Sequence, residues 1–340
     1  MTVRVGINGF GRIGRSFVRA ALRSGADVEI VALNDLTSPE TNAHLLRYDS
    51  TQGRLDVEVR TEDGALIIGD QRVAVYSERD PAALPWGELG VDVVIESTGR
   101  FTKREEAAAH LSGGARKVII SAPATGADAT FVVGVNDDQY DPAEHHIVSN
   151  ASCTTNCFVP MVKVLDDAFG VVSGLMTTVH AYTNDQSLLD VAHSDLRRAR
   201  AAAVNIVPSS TGAARATGLV LQAMQGRLDG TSLRVPIPTG SITDFTAVVK
   251  GTPTVEAINA AYERAGASGR LSGVLVYTED PIVSSDIVGS PASCTYDAGL
   301  TMVQSIDDET TLVKVLGWYD NEWGYSNRLV DLTGIVGAKA

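Results

Sequence analysis

A glycine-rich turn near the start of the chain limits what this sequence can fold into more than any other stretch. Residues 9–14 read Gly-Phe-Gly-Arg-Ile-Gly. They follow the β-branched run Val3–Ile7, which predicts a buried strand, and they precede apolar residues at helical spacing over 15–23. A second strand pattern at 28–33 ends in Asn34-Asp35, 21 positions beyond the last glycine. This order of strand, glycine turn, helix, strand and acid predicts a dinucleotide-binding unit.

Each part of this motif has a chemical reason. Gly9, Gly11 and Gly14 allow a tight turn and let backbone N–H groups approach a pyrophosphate at the helix N-terminus. Asp35 is expected to bind the ribose hydroxyls of the adenosine and to repel a ribose phosphate, which favours NAD over NADP. A purely structural turn is the other interpretation of the glycines, and the order of the surrounding elements argues against it.

The alternation of strands and helices continues through the first half of the chain. Thr102 to Glu105 matches a capping box and predicts a helix through Leu111. The segments 54–60 and 65–76 interrupt the alternation and predict an antiparallel edge. Four further strand patterns occur, at 91–96, 117–121, 130–133 and 146–149. We therefore expect an α/β fold, a Rossmann-type doubly wound parallel sheet that binds its ligands at the carboxyl ends of the strands.

A cysteine near the middle of the chain is the candidate nucleophile. Cys153 precedes the apolar run 158–165, which predicts a helix. A cysteine at a helix N-terminus faces unpaired backbone N–H groups and the positive end of the helix dipole, which favour the thiolate. His180 follows by 27 residues at the end of a strand pattern, so one helix and one strand can bring the two together. A neutral imidazole there would hold the thiolate as an ion pair and later move protons.

The other interpretations of these residues are structural. Taken singly, Cys153 is more often core filling, and His180 is more often a structural hydrogen-bond donor. Their pairing favours catalysis. Cys157 and Cys294 are the other cysteines, too few for a four-thiolate zinc site, so we expect no metal and a structural Cys157. Three cysteines also provide no disulfide framework, which fits a reducing cytoplasm.

The second half of the chain offers sites for anions. Arg198 lies in the basic run 195–200, although a solvated face or an intersubunit set of salt bridges is the better interpretation for two of the three arginines there. Thr211-Gly212 places a hydroxyl and backbone donors just before a helical segment. Arg234 lies in a strand, where a cation needs a partner or a ligand. Strand patterns at 174–180, 231–249 and 312–319 predict an α+β domain with a mostly antiparallel sheet.

Length and composition set the remaining limits. A chain of 340 residues predicts two domains, which we place at 1–151 for NAD binding and 152–317 for catalysis, with a C-terminal helix at about 318–340 returning to the first. The net charge of −13 argues against nucleic-acid binding. No apolar run is long enough to span a membrane, and the N-terminus lacks a signal-peptide pattern. We therefore expect a cytoplasmic protein.

Read in order, six segments resemble the phosphorylating glyceraldehyde-3-phosphate dehydrogenases of bacteria. They lie at 6–15, 34–36, 151–157, 180–183, 196–200 and 318–322. The element Ser-Cys-Thr-Thr-Asn-Cys is highly specific, and the similarity covers essentially the whole chain. The resemblance implies a homotetramer with one NAD per subunit. It also implies oxidation of glyceraldehyde 3-phosphate, with inorganic phosphate, to 1,3-bisphosphoglycerate through a thiohemiacetal and a thioester on Cys153.

The resemblance also implies roles residue by residue, with Cys153 as the nucleophile and His180 as the acid and base. Positions that contact the cofactor in the family are matched by Arg12, Ile13, Asp35, Arg79, Ser121 and Asn321. The site for the substrate's own phosphate is matched by Thr183 and Arg234. The site for attacking inorganic phosphate is matched by Ser152, Thr154, Arg198, Thr211 and Gly212. The chain departs from the family at 238–241, where Pro-Thr-Gly-Ser replaces a more usual Pro-Asn-Val-Ser.

Two alternatives stay open. A sister enzyme that oxidises erythrose 4-phosphate would have the same thiolate and cofactor fold but would turn over phosphate weakly. A non-catalytic NAD-binding or partner-binding protein would keep the fold without the chemistry. The intact pair of Cys153 and His180, together with Arg198 and Arg234, argues against the second alternative.

Overall fold

The computed structural model describes residues 2–340 of the chain, which divide into two compact units. The first unit comprises the residues up to Val133, Asp137–Ser152 and Ser326–Ala340. The second comprises Gly134–Asn136 and Cys153–Tyr325. Within residues 2–340, no helix combines the length and the apolar character that crossing a membrane requires.

The first unit is built on a nine-stranded sheet. Its strands, together with a separate two-stranded pair (β3 and β4), are β1 Val3–Asn8, β2 Val28–Asn34, β3 Tyr48–Asp49, β4 Gly53–Arg54, β5 Val59–Glu62, β6 Ala65–Ile68, β7 Gln71–Tyr76, β8 Val93–Glu96, β9 Lys117–Ile120, β10 Ala129–Thr130 and β11 Ile147–Ser149. Its helices are α1 Arg12–Ser24, α2 Pro39–Arg47, α3 Arg104–Ala107 and α4 Ala109–Ser112. The sheet order is β10-β11-β9-β8-β1-β2-β7-β6-β5. Pairing is parallel from β10 to β7 and antiparallel from β7 to β5, as predicted for this edge.

The central strands carry continuous apolar runs because helices and loops cover both faces of a parallel sheet. All four residues of β8 and of β9 are buried, and five of the six residues of β1 are buried. Helix α1 begins directly after Gly11 and ends at Gly25, which adopts the left-handed conformation of a C-cap. The carboxyl ends of β1, β2 and β8 therefore meet at one edge of the sheet, where α1 begins.

Two predictions in the first unit are wrong. No capping box forms at Thr102, because Thr102 and Lys103 pair in extended backbone with Thr125, and the helix begins at Arg104 without a side-chain cap. That helix also divides at Ala108 into two short helices. Of the strand expected at 130–133, only Thr130 lies in a strand, as the last residue of β10.

The second unit contains the other large sheet. Its elements are α5 Cys153–Phe169, β12 Val171–Ala181, β13 Val207–Ser210, α6 Ala213–Val220, β14 Leu228–Val235, β15 Ser241–Lys250, α7 Val255–Ala267, β16 Leu275–Thr278, β17 Cys294–Asp297, β18 Met302–Ser305 and β19 Thr310–Tyr319. The sheet order is β13-β14-β12-β15-β19-β17-β16, with β18 paired to β19. Only the pairs β12–β14 and β16–β17 are parallel, so the sheet is mostly antiparallel, as predicted.

Buried and less buried side chains alternate strictly along β15, and this explains why helix α5 packs on one face of the sheet. Every second residue from Ser241 to Val249 is buried, which gives the sheet one core face. Helix α5 packs on that face, and the ring of Phe158 meets that of Phe245 edge-on at 4.9 Å between centroids. Strand β12 lies between β14 and β15 and pairs in parallel with β14, so His180 stands directly opposite Arg234.

The last helix begins later than the sequence predicts. Strand β19 runs to Tyr319, and helix α8 spans Trp323–Gly337, so the predicted C-terminal helix is present but begins five residues after 318. The chain rejoins the first unit only at Ser326. The reason is that β19 pairs with β15 along its whole length, which keeps residues 310–319 in the second sheet.

Candidate active site

The structure places the two predicted catalytic side chains in contact. Helix α5 begins at Cys153, and Cys153 Sγ lies 3.4 Å from His180 Nε2. His180 Nδ1 lies 2.7 Å from the carbonyl oxygen of Ala181 and 3.1 Å from Arg234 Nη1. The carbonyl contact is the shorter of the two and assigns the proton to Nδ1, since two acceptors would repel each other. The neutral ring therefore presents the Nε2 lone pair to the sulfur. This is the arrangement of a nucleophile with its general base.

Burial shapes the protonation states of this pair. It raises the pKa of the Cys153 thiol, although the positive charge of Arg234 and hydrogen bonds at Thr154 and the Cys153 backbone act against the rise. Burial also lowers the pKa of His180 to about 3, and Arg234 adds to the lowering. Both shifts favour a neutral thiol beside a neutral imidazole rather than the ion pair that the helix N-terminus predicts. A nucleophilic role for this sulfur would therefore require transfer of the thiol proton to Nε2.

The low pKa of His180 predicts a pH-dependent stability. In the unfolded chain this imidazole takes up a proton below its ordinary pKa of 6.5, whereas in the fold it stays neutral down to about pH 3. Stability from this residue is thus present above pH 6.5 and falls by about 1.4 kcal/mol per pH unit below it. Urea unfolding at pH 7 and pH 5 should show a loss about 2 kcal/mol larger for the wild type than for His180→Asn. Equal losses in the two proteins would contradict the neutral buried imidazole.

A tyrosine that the sequence analysis did not single out for a role holds the pair in place. The hydroxyl of Tyr319 lies 2.8 Å from Thr154 Oγ1 on α5 and 2.7 Å from Thr178 Oγ1 on β12. Thr154 follows Cys153, and Thr178 is two residues before His180. A single buried hydroxyl therefore ties the first turn of the helix to the strand that carries the base. The pairing of β19 with β15 brings Tyr319 next to Thr154 and Thr178. Because this pairing is long-range, the local sequence did not predict the contact.

Arg234 stands beside the base with its guanidinium half-buried. Its Nη1 lies 3.2 Å from the carbonyl oxygen of Ala181 and 3.3 Å from Thr183 Oγ1, to both of which it donates. Burial lowers the pKa of Arg234, and the nearby positive charge of Arg198 contributes to the lowering. Two arginines that repel each other at a partly buried site are an environment that an anion would neutralise. The structure thus brings Thr183 and Arg234 together, as expected for a phosphate site.

Arg198 is engaged by carboxylates in this structure. Its Nη1 lies 2.6 Å from Asp185 Oδ2, and its Nε lies 3.4 Å from Asp195. Its Nη2 donates to the carbonyl oxygen of Ser210, the residue before Thr211. Gly212 is the N-cap of α6, so the backbone N–H groups at the start of this helix lie close to Arg198. Arg198, Thr211 and Gly212 are therefore close in space, with Asp185 as a partner that the sequence did not predict.

A cavity of about 300 Å³ lies at the strand ends of the first unit. Four of the predicted cofactor residues line it, namely Gly9, Gly11, Asp35 and Arg79. The Asp35 carboxylate accepts from the N–H groups of Phe10 and Thr37, at 2.8 and 2.9 Å. The remaining lining residues are Asn8, Asn34, Leu36, Glu78, Ser97, Thr98, Arg100 and Phe101. The acid and the glycine turn thus face one cavity, as the fingerprint predicts.

The glycines show that this cavity fits a dinucleotide. Gly9 has φ +92°, and a Cβ there would lie 2.6 Å from the backbone nitrogen of Thr98. A Cβ on Gly14 would lie 2.3 Å from the Gly9 carbonyl oxygen, so this glycine allows α1 to pack against the turn. A Cβ on Gly11 would meet nothing within 4 Å, so the space beside this glycine is open. The sequence therefore has glycine where a ligand or the backbone approaches closely.

The other predicted cofactor residues do not line this cavity. Arg12 pairs with Asp49 and Thr51, and Ile13 lies in the first turn of α1. Ser121 directly follows β9, and its N–H donates to the carbonyl oxygen of Glu96. Asn321 belongs to the second unit. Ser152, predicted for the phosphate site, is the last residue of the first unit before Cys153.

A buried polar network behind the cavity was not predicted. Glu96 accepts from Asn8 Nδ2 at 2.6 Å and from the Thr98 N–H at 2.8 Å, and His110 Nε2 lies 2.9 Å away. Trp86 donates its indole N–H to the other ring nitrogen of His110. All of these groups are satisfied, so the network fixes the strand ends that form the cavity wall. The pattern of apolar residues along the chain does not predict which buried polar side chains will hydrogen-bond to one another.

Residues 2–340 contain neither a candidate metal site nor a disulfide bond. No group of three or more histidine, cysteine or acidic side chains there could hold a metal ion. All three cysteines are free thiols. Cys157 is fully buried, with its sulfur 3.6 Å from the carbonyl oxygen of Gly317, a packing role as predicted.

The fold and these sites define a dehydrogenase with a dinucleotide-binding α/β unit and a cysteine paired with a histidine. Residues 3–104 match the NAD binding domain of glyceraldehyde 3-phosphate dehydrogenase, and residues 152–321 match the C-terminal domain of the same family. The glyceraldehyde-3-phosphate dehydrogenase of Streptomyces coelicolor is 62% identical over 337 residues, covering 99% of each chain. That of Mycobacterium avium is 60% identical over 343 residues, again covering 99% of each. The chain belongs to the glyceraldehyde-3-phosphate dehydrogenase family, which confirms the predicted family, fold class, NAD cofactor and class of enzyme.

Proposed function

We propose that Cys153 and His180 carry out the NAD-dependent oxidation of glyceraldehyde 3-phosphate, with inorganic phosphate, to 1,3-bisphosphoglycerate. The contact of 3.4 Å between Cys153 Sγ and the Nε2 lone pair of His180 carries this proposal. It gives the aldehyde carbon a nucleophile and a base at one point. The proposal includes the division of labour predicted from the sequence, with NAD binding in residues 1–151 and chemistry in residues 152–317.

The residues of the chain account for each proton and charge. His180 Nε2 accepts the thiol proton as Cys153 Sγ attacks the aldehyde carbon, which forms a thiohemiacetal. The developing oxyanion is met by the Cys153 N–H at the start of α5 and by the imidazolium. His180 first gives this proton to the oxyanion and then takes it back from the hydroxyl as the carbon is oxidised, so the thioester forms with the proton on Nε2. NAD, when bound, supplies the hydride acceptor for that oxidation.

The resulting thioester on Cys153 retains the energy of oxidation until phosphate cleaves it. In our proposal Thr183 and Arg234 bind the phosphate of the substrate, and Arg198 with Ser152, Thr154, Thr211 and Gly212 binds the attacking phosphate. The short distance of Arg234 to Thr183 supports the first set, and the mutual repulsion of Arg234 and Arg198 supports placing an anion near both. Attack of a phosphate oxygen on the thioester carbon breaks the C–S bond and releases the acyl phosphate. The Cys153 thiolate then takes back its proton from His180.

For the cofactor, the first unit offers a donor and acceptor set that suits NAD. Gly9, Gly11 and Gly14 give the pyrophosphate access to the start of α1, and Asp35 faces the ribose hydroxyls. Arg79 lines the same cavity. Arg12, Ile13, Ser121 and Asn321 complete the proposed set by their match to the family.

We also propose that the protein is a homotetramer in the cytoplasm. Large apolar side chains between 188 and 206 are exposed in the single chain, and such a patch favours association. They are Leu188, Leu189, Val191, Leu196, Val204 and Ile206. Light scattering of the purified protein should give the mass of four chains, and the mass of one chain would contradict the proposal.

The decisive experiment is a steady-state assay of NADH formation. We expect glyceraldehyde 3-phosphate to be oxidised with NAD only slowly unless inorganic phosphate is present. NADP in place of NAD should give a much lower kcat/KM, because Asp35 repels a ribose phosphate. Erythrose 4-phosphate serves as the competing substrate. A higher kcat/KM for erythrose 4-phosphate would favour the sister enzyme, and no NADH from either aldehyde would favour a non-catalytic protein.

A further inference from the structure

A buried serine connects the catalytic histidine to Asn321. Ser241 begins β15 and is 1% exposed. Its Oγ accepts from the N–H of Ala181 at 3.1 Å and donates to Asn321 Oδ1 at 3.1 Å. The carbonyl oxygen of Ala181 in turn accepts from His180 Nδ1. One residue of backbone and one hydroxyl thus separate the base from the amide.

The hydroxyl proton of Ser241 fixes which end of the amide points outward. The Ala181 N–H occupies one lone pair of Ser241 Oγ, and the single hydroxyl proton needs an acceptor. Asn321 Oδ1 is that acceptor, whereas the opposite orientation of the amide would bring its NH₂ group there and leave the hydroxyl proton buried without a partner. Asn321 therefore offers its Nδ2, a hydrogen-bond donor, to a ligand.

The backbone of Asn321 is held independently of its side chain. Asp320 is fully buried, and its Oδ1 accepts from the N–H groups of Glu322 and Trp323 and from Thr239 Oγ1. Its Oδ2 accepts from the N–H of Gly289. These hydrogen bonds fix the position of the Asn321 backbone. Thr239 Oγ1 also lies 3.4 Å from Asn321 Oδ1, but its single proton is directed at the Asp320 carboxylate at 2.9 Å. The hydroxyl of Ser241, at 3.1 Å, is therefore the donor that sets the rotation of the amide.

We propose that Ser241 is a positioning residue that holds Asn321 as a donor to the carboxamide oxygen of the nicotinamide. This inference rests on the proposed function, in which hydride leaves a carbon bonded to Cys153. The nicotinamide ring must then reach the neighbourhood of His180, to which Asn321 is linked. The carboxamide is the polar group on that ring, and its oxygen is the acceptor that an outward Nδ2 requires. Ser241 thereby couples the orientation of the ring to the position of the base.

A pair of dinucleotides reports the orientation of the amide directly. In 3-acetylpyridine adenine dinucleotide a methyl group replaces the carboxamide NH₂, while the carbonyl oxygen remains. A donor held by Ser241 serves both ligands equally. An amide that is free to rotate can present its oxygen to the NH₂ of NAD but has no such option with the analogue. The ratio of the two Kd values, analogue over NAD, is therefore sensitive to Ser241.

We expect calorimetric titration of Ser241→Ala to show weaker NAD binding, by about threefold to tenfold, and an analogue-to-NAD ratio raised by a similar factor over the wild type. Ser241→Thr keeps the hydroxyl and should keep the wild-type ratio. Ser293→Ala is the matched control, since Ser293 is equally buried but its hydroxyl has no partner within residues 2–340. This control should leave both Kd values unchanged.

The outcomes separate the inference from the function on which it rests. An unchanged ratio in Ser241→Ala overturns the positioning role, whether NAD binding weakens or not, because general loosening would affect both ligands alike. Asn321→Ala should weaken both ligands. If Asn321→Ala binds both as the wild type does, the assignment of Asn321 to the cofactor is wrong, and the proposed set of cofactor residues fails at that position. Thermal denaturation of each variant verifies that it is folded.

Discussion

Replacing Cys153 by alanine should lower phosphate-dependent NADH formation by at least about 10⁴-fold while NAD still binds. The expectation follows from geometry, since Cys153 Sγ is the proposed nucleophile and lies 3.4 Å from His180 Nε2. Without the sulfur no thiohemiacetal forms, and the hydrogen on the trigonal aldehyde carbon cannot leave as hydride, because that would produce an unstabilised acylium ion. The sharpest measurement is a rapid-mixing experiment without phosphate. The wild type should produce a burst of one NADH per active site as the thioester accumulates, and the variant should produce none.

Cys157 provides the matched control. It lies one helical turn further along α5 and is fully buried, so Cys157→Ala removes a thiol and leaves a small cavity. We expect it to lower the free energy of unfolding by about 1–2 kcal/mol and to keep the burst. A normal burst in Cys153→Ala, or loss of the burst in folded Cys157→Ala, would refute the assignment of the nucleophile.

Much of this architecture could be predicted from local sequence, because the signals there are local. The run Val3–Ile7, the glycines and Asp35 form one contiguous unit, and backbone sterics dictate where each glycine must stand. The same holds for Cys153, whose position before an apolar helix placed it at a helix N-terminus. Family resemblance then supplied the role of residues such as Arg234, whose contacts to Ala181 and Thr183 the structure describes.

What could not be predicted depends on long-range pairing. Tyr319 meets Thr154 and Thr178 only because β19 lies next to β15 in the sheet, and Ser241 meets Asn321 for the same reason. Thr102 matches a capping box in every local respect, yet its backbone pairs with Thr125 instead. Local propensity is a weak preference that such tertiary hydrogen bonds outweigh.

The protonation states of Cys153 and His180 could not be predicted from local sequence either. A helix N-terminus predicts a lowered thiol pKa, whereas burial raises the pKa of Cys153 and lowers that of His180. The two effects have opposite signs, and the extent of burial cannot be read from sequence. In the chain on its own the desolvation of the pair is the larger effect. Activation of the thiol therefore depends on the base at 3.4 Å more than on the helix.

Replacing His180 by asparagine should lower kcat by about 10²–10⁴-fold, the usual range for loss of a general acid–base group. Asparagine keeps a polar side chain of similar reach but cannot accept the thiol proton. Because the thiolate is disfavoured by burial, alkylation of Cys153 by iodoacetamide at pH 7 should slow as well, and it should recover as the pH rises toward the raised pKa of the thiol. The wild type should show a weaker pH dependence, since its base is available at 3.4 Å.

His145→Asn serves as the control for this substitution, because His145 lies in the first unit and its ring accepts from the N–H of Asp141. Its kcat and its alkylation rate should stay within about twofold of the wild type, as expected for a change outside the site. If His180→Asn retained a kcat within threefold of the wild type, proton transfer would have to be assigned elsewhere. If its kcat fell while alkylation kept the rate and pH dependence of the wild type, His180 would act on the thiohemiacetal hydroxyl alone. The thiol would then lose its proton without help from the imidazole.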